Sequence, residues 1–377
     1  MSIRTAQANM DEVLAGCVEN LRSVYRASDG LFPFSTRIVG ESFVNDYRMR
    51  ESLRYTVNTL LGLQAAARAG TADVTILEVD EMIETLVRLH DTHLTGHADL
   101  GLYALLLAGQ TDREESTRSA VDRLVTSLSS IRHADVNMQD LSLIIWGAAA
   151  AARRGIPHAE ELGRSVTAVV KEHFVDAQSL LPRHSTRRYR RNVVSFGSLV
   201  YFLRAMYEAA NAFDDPDAAE LFGGGVQKAL ALQGPRGEWP WMIDVRTGRP
   251  FDAYPVFSVH QDSMAMLFLF PALDLGVSGV EAAIERSVAW VFGDNELGVR
   301  FYRERPFFAY RSIERKDRLP RLRRYLRSLA SRTTGGVATF ESAHARVNEE
   351  CRSYHLGWIL YVWSGRLSAS AAQHSAA

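Results

Sequence analysis

The stretch QGPRGEWPWMIDVRTGRPFDAYPVFSVHQDSMA, residues 233–265, sets an aromatic, turn-rich loop directly against an apolar helix read over 257–275. His260, Gln261 and Asp262 fall in the first turn of that helix. A helix that is apolar all round is buried on every side, so a polar triplet at its start marks a place where something binds. The preceding segment, 215–232, is charged on one face and apolar on the other, the pattern of a helix with one face in water.

The same pairing of a two-faced helix with an apolar one recurs along the chain. Segments 10–26, 73–94, 112–132, 157–175, 215–232 and 277–292 read as amphipathic, and 47–68, 98–109, 138–154, 193–210, 257–275 and 354–363 as apolar. Gly70 stands where the helix over 47–68 needs its C-terminal residue, and Ser364-Gly365 ends the last helix. A further amphipathic helix is read over 319–331. No stretch alternates with the period of two that a half-buried strand requires. Six buried helices ringed by six half-exposed ones make an all-α fold, an (α/α)6 toroid of six helical hairpins. The unequal loops do not match the fixed repeat of an open solenoid. One domain is therefore expected over 1–377. Residues 293–318 form an aromatic insert across the ring mouth, carrying Asn295, Glu296 and Arg311, and 366–377 form a flexible tail.

The bulk numbers narrow the function classes. A formal net charge of -1 over 377 residues gives no bias toward nucleic acid or an anionic membrane. Two cysteines, Cys17 and Cys351, are too few for a disulfide framework and point to a reducing cytoplasm. The most apolar runs, 141–152 and 264–273, fall short of the ~20 residues that span a bilayer, which leaves only peripheral membrane contact. No Gly-rich phosphate loop follows a strand, and no serine nucleophile elbow is present. Cys351 and His355 lie four apart on one helix face, but no paired cysteines accompany them, so neither a metal nor another cofactor is expected.

Inner helices of a toroid run roughly parallel, so their N-terminal turns meet at one end. The polar residues of the apolar helices cluster there: Glu51 and Arg54, with Arg50; His97 and Asp99; Asn137, Gln139 and Asp140; Asn192 and Ser195; His260, Gln261 and Asp262; Arg352, Tyr354 and His355. Helix capping alone accounts for several of them. Together with six converging dipole ends they favour a small anionic ligand. The loop RHSTRRYRRN at 183–192 adds Arg187, Arg188, Arg190 and Arg191, whose guanidinium groups suit a diphosphate or a carboxylate.

Gln233, Gly237 and Trp239 fit the pattern Q-x-x-x-G-x-W, and in this the stretch resembles the QW motif of squalene–hopene cyclases and class II terpene cyclases. Val259–Ser263, VHQDS, stands in the place of their D-x-D-D-T, with Asp262 and Ser263 matching the last two residues and Gln261 replacing the proton-donating Asp. Ser353-Tyr354-His355 followed by Trp358 is similar to the zinc-histidine helix of protein prenyltransferase β subunits, without its D-x-C partner. Gly237 and Trp239 with Asp244, then Ser263-Met264-Ala265, resemble six-hairpin sugar enzymes such as unsaturated glucuronyl hydrolases and uronyl epimerases.

The first resemblance implies a cyclase acting on an isoprenoid, with or without a diphosphate, by protonation with a non-standard acid. Trp239, Trp241, Phe251, Tyr254, Phe257 and Tyr354 would stabilise cations, Asp262 with His260 would handle the proton, and the loop arginines would hold the anionic end. The third implies a uronyl hydrolase, lyase or epimerase in which Asp244, Asp140 or Asp262 does the acid–base work. A non-catalytic helical binding protein is the remaining alternative.

Overall fold

The computed structural model describes residues 2–40, 42–74, 77–90, 93–94, 96–110, 115–187, 191–316, 323, 326–327 and 344–375. Among these, twelve α-helices follow the expected alternation. In chain order they are α1 (Ile3–Val24), α2 (Met49–Ala69), α3 (Val79–His90) and α4 (His97–Ala108). Then come α5 (Glu115–Ser129), α6 (Met138–Ala152), α7 (Ala159–His173) and α8 (Phe196–Phe213). The last four are α9 (Pro216–Leu230), α10 (Met266–Asp274), α11 (Val280–Val291) and α12 (Ser353–Ser375). The even-numbered helices touch one another in a closed circuit, with α12 against α2, and the odd-numbered helices lie outside them. That is the (α/α)6 toroid.

Sequence dictates which helix goes where. In α4 and α6 nearly every side chain is buried, whereas α3 and α7 bury one face only. Gly70 takes the left-handed conformation at φ 62° and caps α2. Where α2 meets α12, Gly62 and Gly357 face each other so closely that a Cβ on Gly62 would stand 2.0 Å from the Gly357 carbonyl oxygen. Below the mouth the ring is filled by aromatics: Trp146 of α6 stacks on Trp358 of α12 with centroids 5.8 Å apart.

The QW-like residues act as a clip between outer helices. Gln233, after α9, donates its Nε2–H groups to the Ala283 carbonyl and Ser287 Oγ of α11, both at 3.0 Å. Trp239 donates to the same Ser287 Oγ at 2.9 Å and stacks on Phe196. Gly237 between them has φ 98°, and a Cβ there would lie 2.3 Å from the Arg286 carbonyl oxygen. The residue types are thus fixed by the seam they close.

Short strands precede the inner helices, a departure from the strand-free expectation. They are β1 (Ser35–Val39), β2 (Ser42–Asp46), β3 (Val193–Ser195), β4 (Met242–Asp244), β5 (Arg249–Asp252) and β6 (Val256–Phe257). After α11 follow β7 (Tyr302–Glu304), β8 (Phe307–Ala309), β9 (Ser312–Arg315) and β10 (Ala345–Asn348). They pair as β1-β2, β3-β4-β5, β10-β9-β6 and β7-β8, all antiparallel. At two to five residues each they are too short for alternation to show. Helix α12 also runs through Ser364-Gly365 to Ser375, past its expected end, where Arg366 holds Asp274 at 2.7 Å and stacks on Phe270. Most of the helix expected over 319–331 lies outside the described residues.

Two glycine substitutions should move stability in opposite directions. Gly62→Ala forces a methyl into the α2–α12 seam and should cost about 1–3 kcal/mol or more. Gly223→Ala, on α9 with nothing within 4 Å of its Cβ position, should gain about 0.5–1 kcal/mol. Urea midpoints measure both, and shifts of the same sign would contradict the close approach at the seam.

Candidate functional site

The chain between β6 and α10 makes one π turn over His260–Met264, with the Ala265 N–H reaching back five residues to the His260 carbonyl at 3.3 Å. Such one-residue insertions are rare and often stand at functional sites. His260 and Asp262, two residues apart in this turn, face different surroundings. His260 borders a cavity of about 310 Å³ at the N-terminal end of the inner ring. Asp262 does not.

The cavity draws on five inner-helix starts. Helix α2 supplies Glu51, Arg54, Tyr55 and Asn58, spaced as one helical face; α6 supplies Gln139, α8 Tyr201, and α12 Tyr354. Ser195, capping α8, and Met264 complete the helical part. Loops add Trp241, Phe257 and Arg311. Trp241 lies parallel to the His260 ring with centroids 5.9 Å apart, and Phe257 and Phe196 each come within 5.1 Å of it. Enclosed by these rings and near His355, the His260 imidazole is pushed down to about 3, chiefly by burial, so it is neutral at ordinary pH. Across the cavity, Tyr55 stacks against Tyr354 at 4.5 Å, and burial pushes both phenols up.

An acidic cluster flanks the cavity at Arg54. Asp99, at the start of α4, lies 3.3 Å from Arg54 Nε. Burial raises its carboxyl above the usual range even though Arg54 and Arg50 pull the other way. Asp140, at the start of α6, is likewise raised by burial, against the opposing pull of Arg54, His97 and the Asn137 amide. Arg54, His97, Asp99 and Asp140 are thus brought together. Raised carboxylic acids beside a cation can hold a proton and exchange it with a bound ligand.

Other expected residues are placed elsewhere. Asp262 is fully buried, accepting from Tyr302 Oη and from His355 Nε2 at 2.8 Å each, while its carbonyl accepts from Trp363. Gln261 is buried beside it and donates to the Phe257 carbonyl. His355 is therefore a partner of Asp262 and not a cavity residue. Asp244 is buried in β4 against Arg246 at 2.8 Å. Tyr254 donates to Glu296 at 3.1 Å under Arg315, and Trp239 serves the α9–α11 clip. Phe251 is buried off the cavity. Arg187 and Arg191 are exposed, and Arg188 and Arg190 lie outside the described residues. Of the insert, Asn295 and Glu296 bond within their own loop and to Trp290 and Tyr254, and Arg311 alone borders the cavity. Tyr55, Asn58 and Tyr201 are cavity residues that motif reading passes over. Their signal is polar groups on one face of an otherwise buried helix.

Cys351 is buried with its thiol pushed up to about 12 by burial, and His355 faces Asp262. Among the described residues no group of three His, Cys, Asp or Glu side chains is arranged to hold a metal. No described helix is long and apolar enough to cross a membrane.

No family model matches the sequence, and no curated protein matches it. Solved structures do share its fold. Cellobiose 2-epimerase from Bacillus thermoamylovorans B4167 superposes with a TM-score of 0.64 at 10% identity, over 92% of this chain and 95% of that one. A mutant of unsaturated glucuronyl hydrolase from Streptococcus agalactiae, complexed with dGlcA-GalNAc6S, gives 0.64 at 9% identity, over 96% and 92%. An inactive variant of an α-1,6-mannanase of Salegentibacter sp. HEL1_6, in complex with α-1,6-mannotriose, gives 0.60 at 11% identity, over 95% and 99%. These similarities show that the chain has the (α/α)6 toroid fold of those enzymes. The terpene-cyclase reading is corrected accordingly. The solved structures it resembles in fold are carbohydrate enzymes, and the acid that reading requires, Asp262, is sealed in the wall behind the cavity.

The neutral His260 gives a measurable linkage. Its folded value near 3 lies below the unfolded value of about 6.5, so between these the unfolded chain alone takes up the proton. Stability should therefore fall as pH drops from about 6.5 toward about 3, by up to about 1.4 kcal/mol per pH unit from this group. Denaturation of wild type and His260→Gln at several pH values isolates it. The wild type should show the steeper slope, and parallel slopes would contradict a buried neutral imidazole.

Proposed function

We propose that this chain is a carbohydrate-active enzyme that works by general acid–base catalysis on a saccharide bound at the ring mouth. The observation that carries the reading is the pair of burial-raised carboxylic acids, Asp140 and Asp99, beside Arg54 at a cavity walled by aromatic rings. A sugar has apolar C–H faces and polar edges, and the cavity offers both complements. Trp241, half-buried, offers a ring to stack on, and Asn58, Gln139, His260 and the tyrosines offer hydrogen-bonding groups at the sides. The similarity in fold to an epimerase, a glucuronyl hydrolase and a mannanase agrees with this chemistry.

In this reading Asp140 is the proton-transferring group. With its carboxyl raised by burial, it donates to an oxygen of the sugar as a bond to that oxygen breaks, and once ionised it accepts a proton back. Asp99 discourages a second negative charge beside it, and Arg54 limits the rise of both carboxyls. His260 stays neutral and hydrogen-bonds to hydroxyls without carrying charge. Hydrolysis and elimination share this proton transfer to a leaving oxygen, whereas epimerisation would use the ionised carboxylate to take a proton from carbon.

A saccharide panel tests the reading: α-1,6-manno-oligosaccharides, cellobiose and unsaturated glucuronyl disaccharides, followed by chromatography of products. Turnover of at least one is expected. Asp140→Asn should then lower kcat by about 10²–10⁴-fold, and Trp241→Ala should raise KM with a smaller effect on kcat. Absence of turnover across the panel, or an Asp140→Asn variant with the wild-type rate, would sink it.

A further inference from the structure

Among the described residues that line the ring-mouth cavity, Gly197 is the one without a side chain. It is the second residue of α8, where glycine is a poorer helix former than alanine. Other buried glycines of the inner helices have a packing reason. A Cβ on Gly62, Gly101, Gly147 or Gly357 would stand 2.0, 2.7, 2.4 or 2.6 Å from backbone atoms of the facing helix. At Gly197 a Cβ would lie 3.4 Å from Met264 Cε and 3.7 Å from His260 Nε2, both ordinary contacts. The fold thus accepts a methyl there, and the space that methyl would fill belongs to the cavity.

The walls of this corner are held in place. The Phe196 N–H donates to the Trp241 carbonyl at 3.0 Å, and Ser195 of β3 pairs with Met242 of β4, so the start of α8 is fastened beside Trp241. Met264 and His260 both belong to the π turn and are 4% and 3% exposed. They present a methyl and a ring nitrogen to Gly197. Nε2 is the nitrogen on that side, while Nδ1 is buried without a hydrogen-bond partner among the described residues. Burial keeps the imidazole neutral, so Met264, His260 and Gly197 together form an uncharged corner, apolar on one side and polar on the other. An exocyclic hydroxymethyl group has the same two halves. Its CH₂ packs against Met264 Cε, and its hydroxyl, which can donate or accept, meets whichever form of Nε2 the neutral ring offers.

We infer that Gly197 is a specificity-determining position, leaving room beside Met264 and His260 for the hydroxymethyl group of a hexose stacked on Trp241. The inference rests on the carbohydrate reading of the cavity and narrows its substrate class to hexopyranosides. A pentopyranoside, which lacks that group, leaves the corner empty. One missing carbon in a fitted pocket is worth about 10–200-fold in discrimination.

Calorimetric titration of the wild type and Gly197→Ala with methyl pyranosides in matched pairs tests it. The pairs are glucose with xylose, mannose with lyxose, and galactose with L-arabinose, the second of each being the first without its hydroxymethyl group. In at least one pair the wild type should bind the hexoside about tenfold tighter or more. Gly197→Ala should erase that preference by weakening the hexoside alone, with pentoside affinity unchanged and a urea midpoint no lower than that of the wild type. A lower midpoint contradicts the free space at Gly197. Equal affinities within every pair, or equal losses for both members of a pair in Gly197→Ala, overturn the corner and leave the carbohydrate reading intact. Binding of none of the six also removes the corner, and the carbohydrate reading falls with it only if the saccharide panel shows no turnover.

Discussion

One carboxylate without access to water, Asp262, ties together the parts of the ring that sequence alone leaves loose. Its two oxygens accept from Tyr302 of β7 and His355 of α12, and its carbonyl accepts from Trp363 further along α12. Three segments, the insert after α11, the π turn before α10 and the last inner helix, are therefore joined at a single residue. Removing one partner from a buried polar cluster leaves the others unsatisfied in a medium that cannot solvate them. The arrangement also fixes the π turn, and through it the position of His260 on the cavity wall. The residue with the appearance of an acid catalyst is thus a fastening for the site.

Much of the fold is legible in the amino-acid sequence because it follows from burial. Helices such as α4 and α6, apolar on all sides, have nowhere to go but the inner ring. Gln233, Gly237 and Trp239 are readable for the same reason: each is demanded by one contact with α11. The site is only half legible. Polar residues at inner-helix starts point to the right end of the ring, and Arg54, His97, Asp99 and Asp140 do gather there. The π turn defeats the rest, because one extra residue in a turn rotates every following side chain and leaves no trace in a 3.6-residue period. His260 and Asp262 part company for a plainer reason, since residues two apart on a helix do not share a face. Of the arginine-rich loop, Arg187 and Arg191 are exposed and away from the cavity lining.

Burial sets the chemistry of the mouth in two opposite senses. It strips His260 of its proton and raises the carboxyls of Asp99 and Asp140, so the shift is toward the neutral form for both kinds of group. The result is a cavity where aromatic faces and neutral hydrogen-bonding groups adjoin, with Arg54, Arg311 and Glu51 as the charged side chains of its described lining and the raised acids Asp99 and Asp140 beside Arg54. Such a surface suits a ligand with many hydroxyl groups better than a hydrocarbon, for which buried polar atoms such as Asn58 Oδ1 would stay unpaired.

The central claim is that the ring mouth binds a saccharide within reach of Asp140. The most direct measurement is a crystal structure of the Asp140→Asn variant soaked with a saccharide that the wild type converts. The account predicts a sugar ring stacked on Trp241, between Arg54 and Arg311, with one oxygen within hydrogen-bonding distance of the substituted side chain. A sugar bound elsewhere on the ring, or bound at the mouth with residue 140 out of reach, would contradict it.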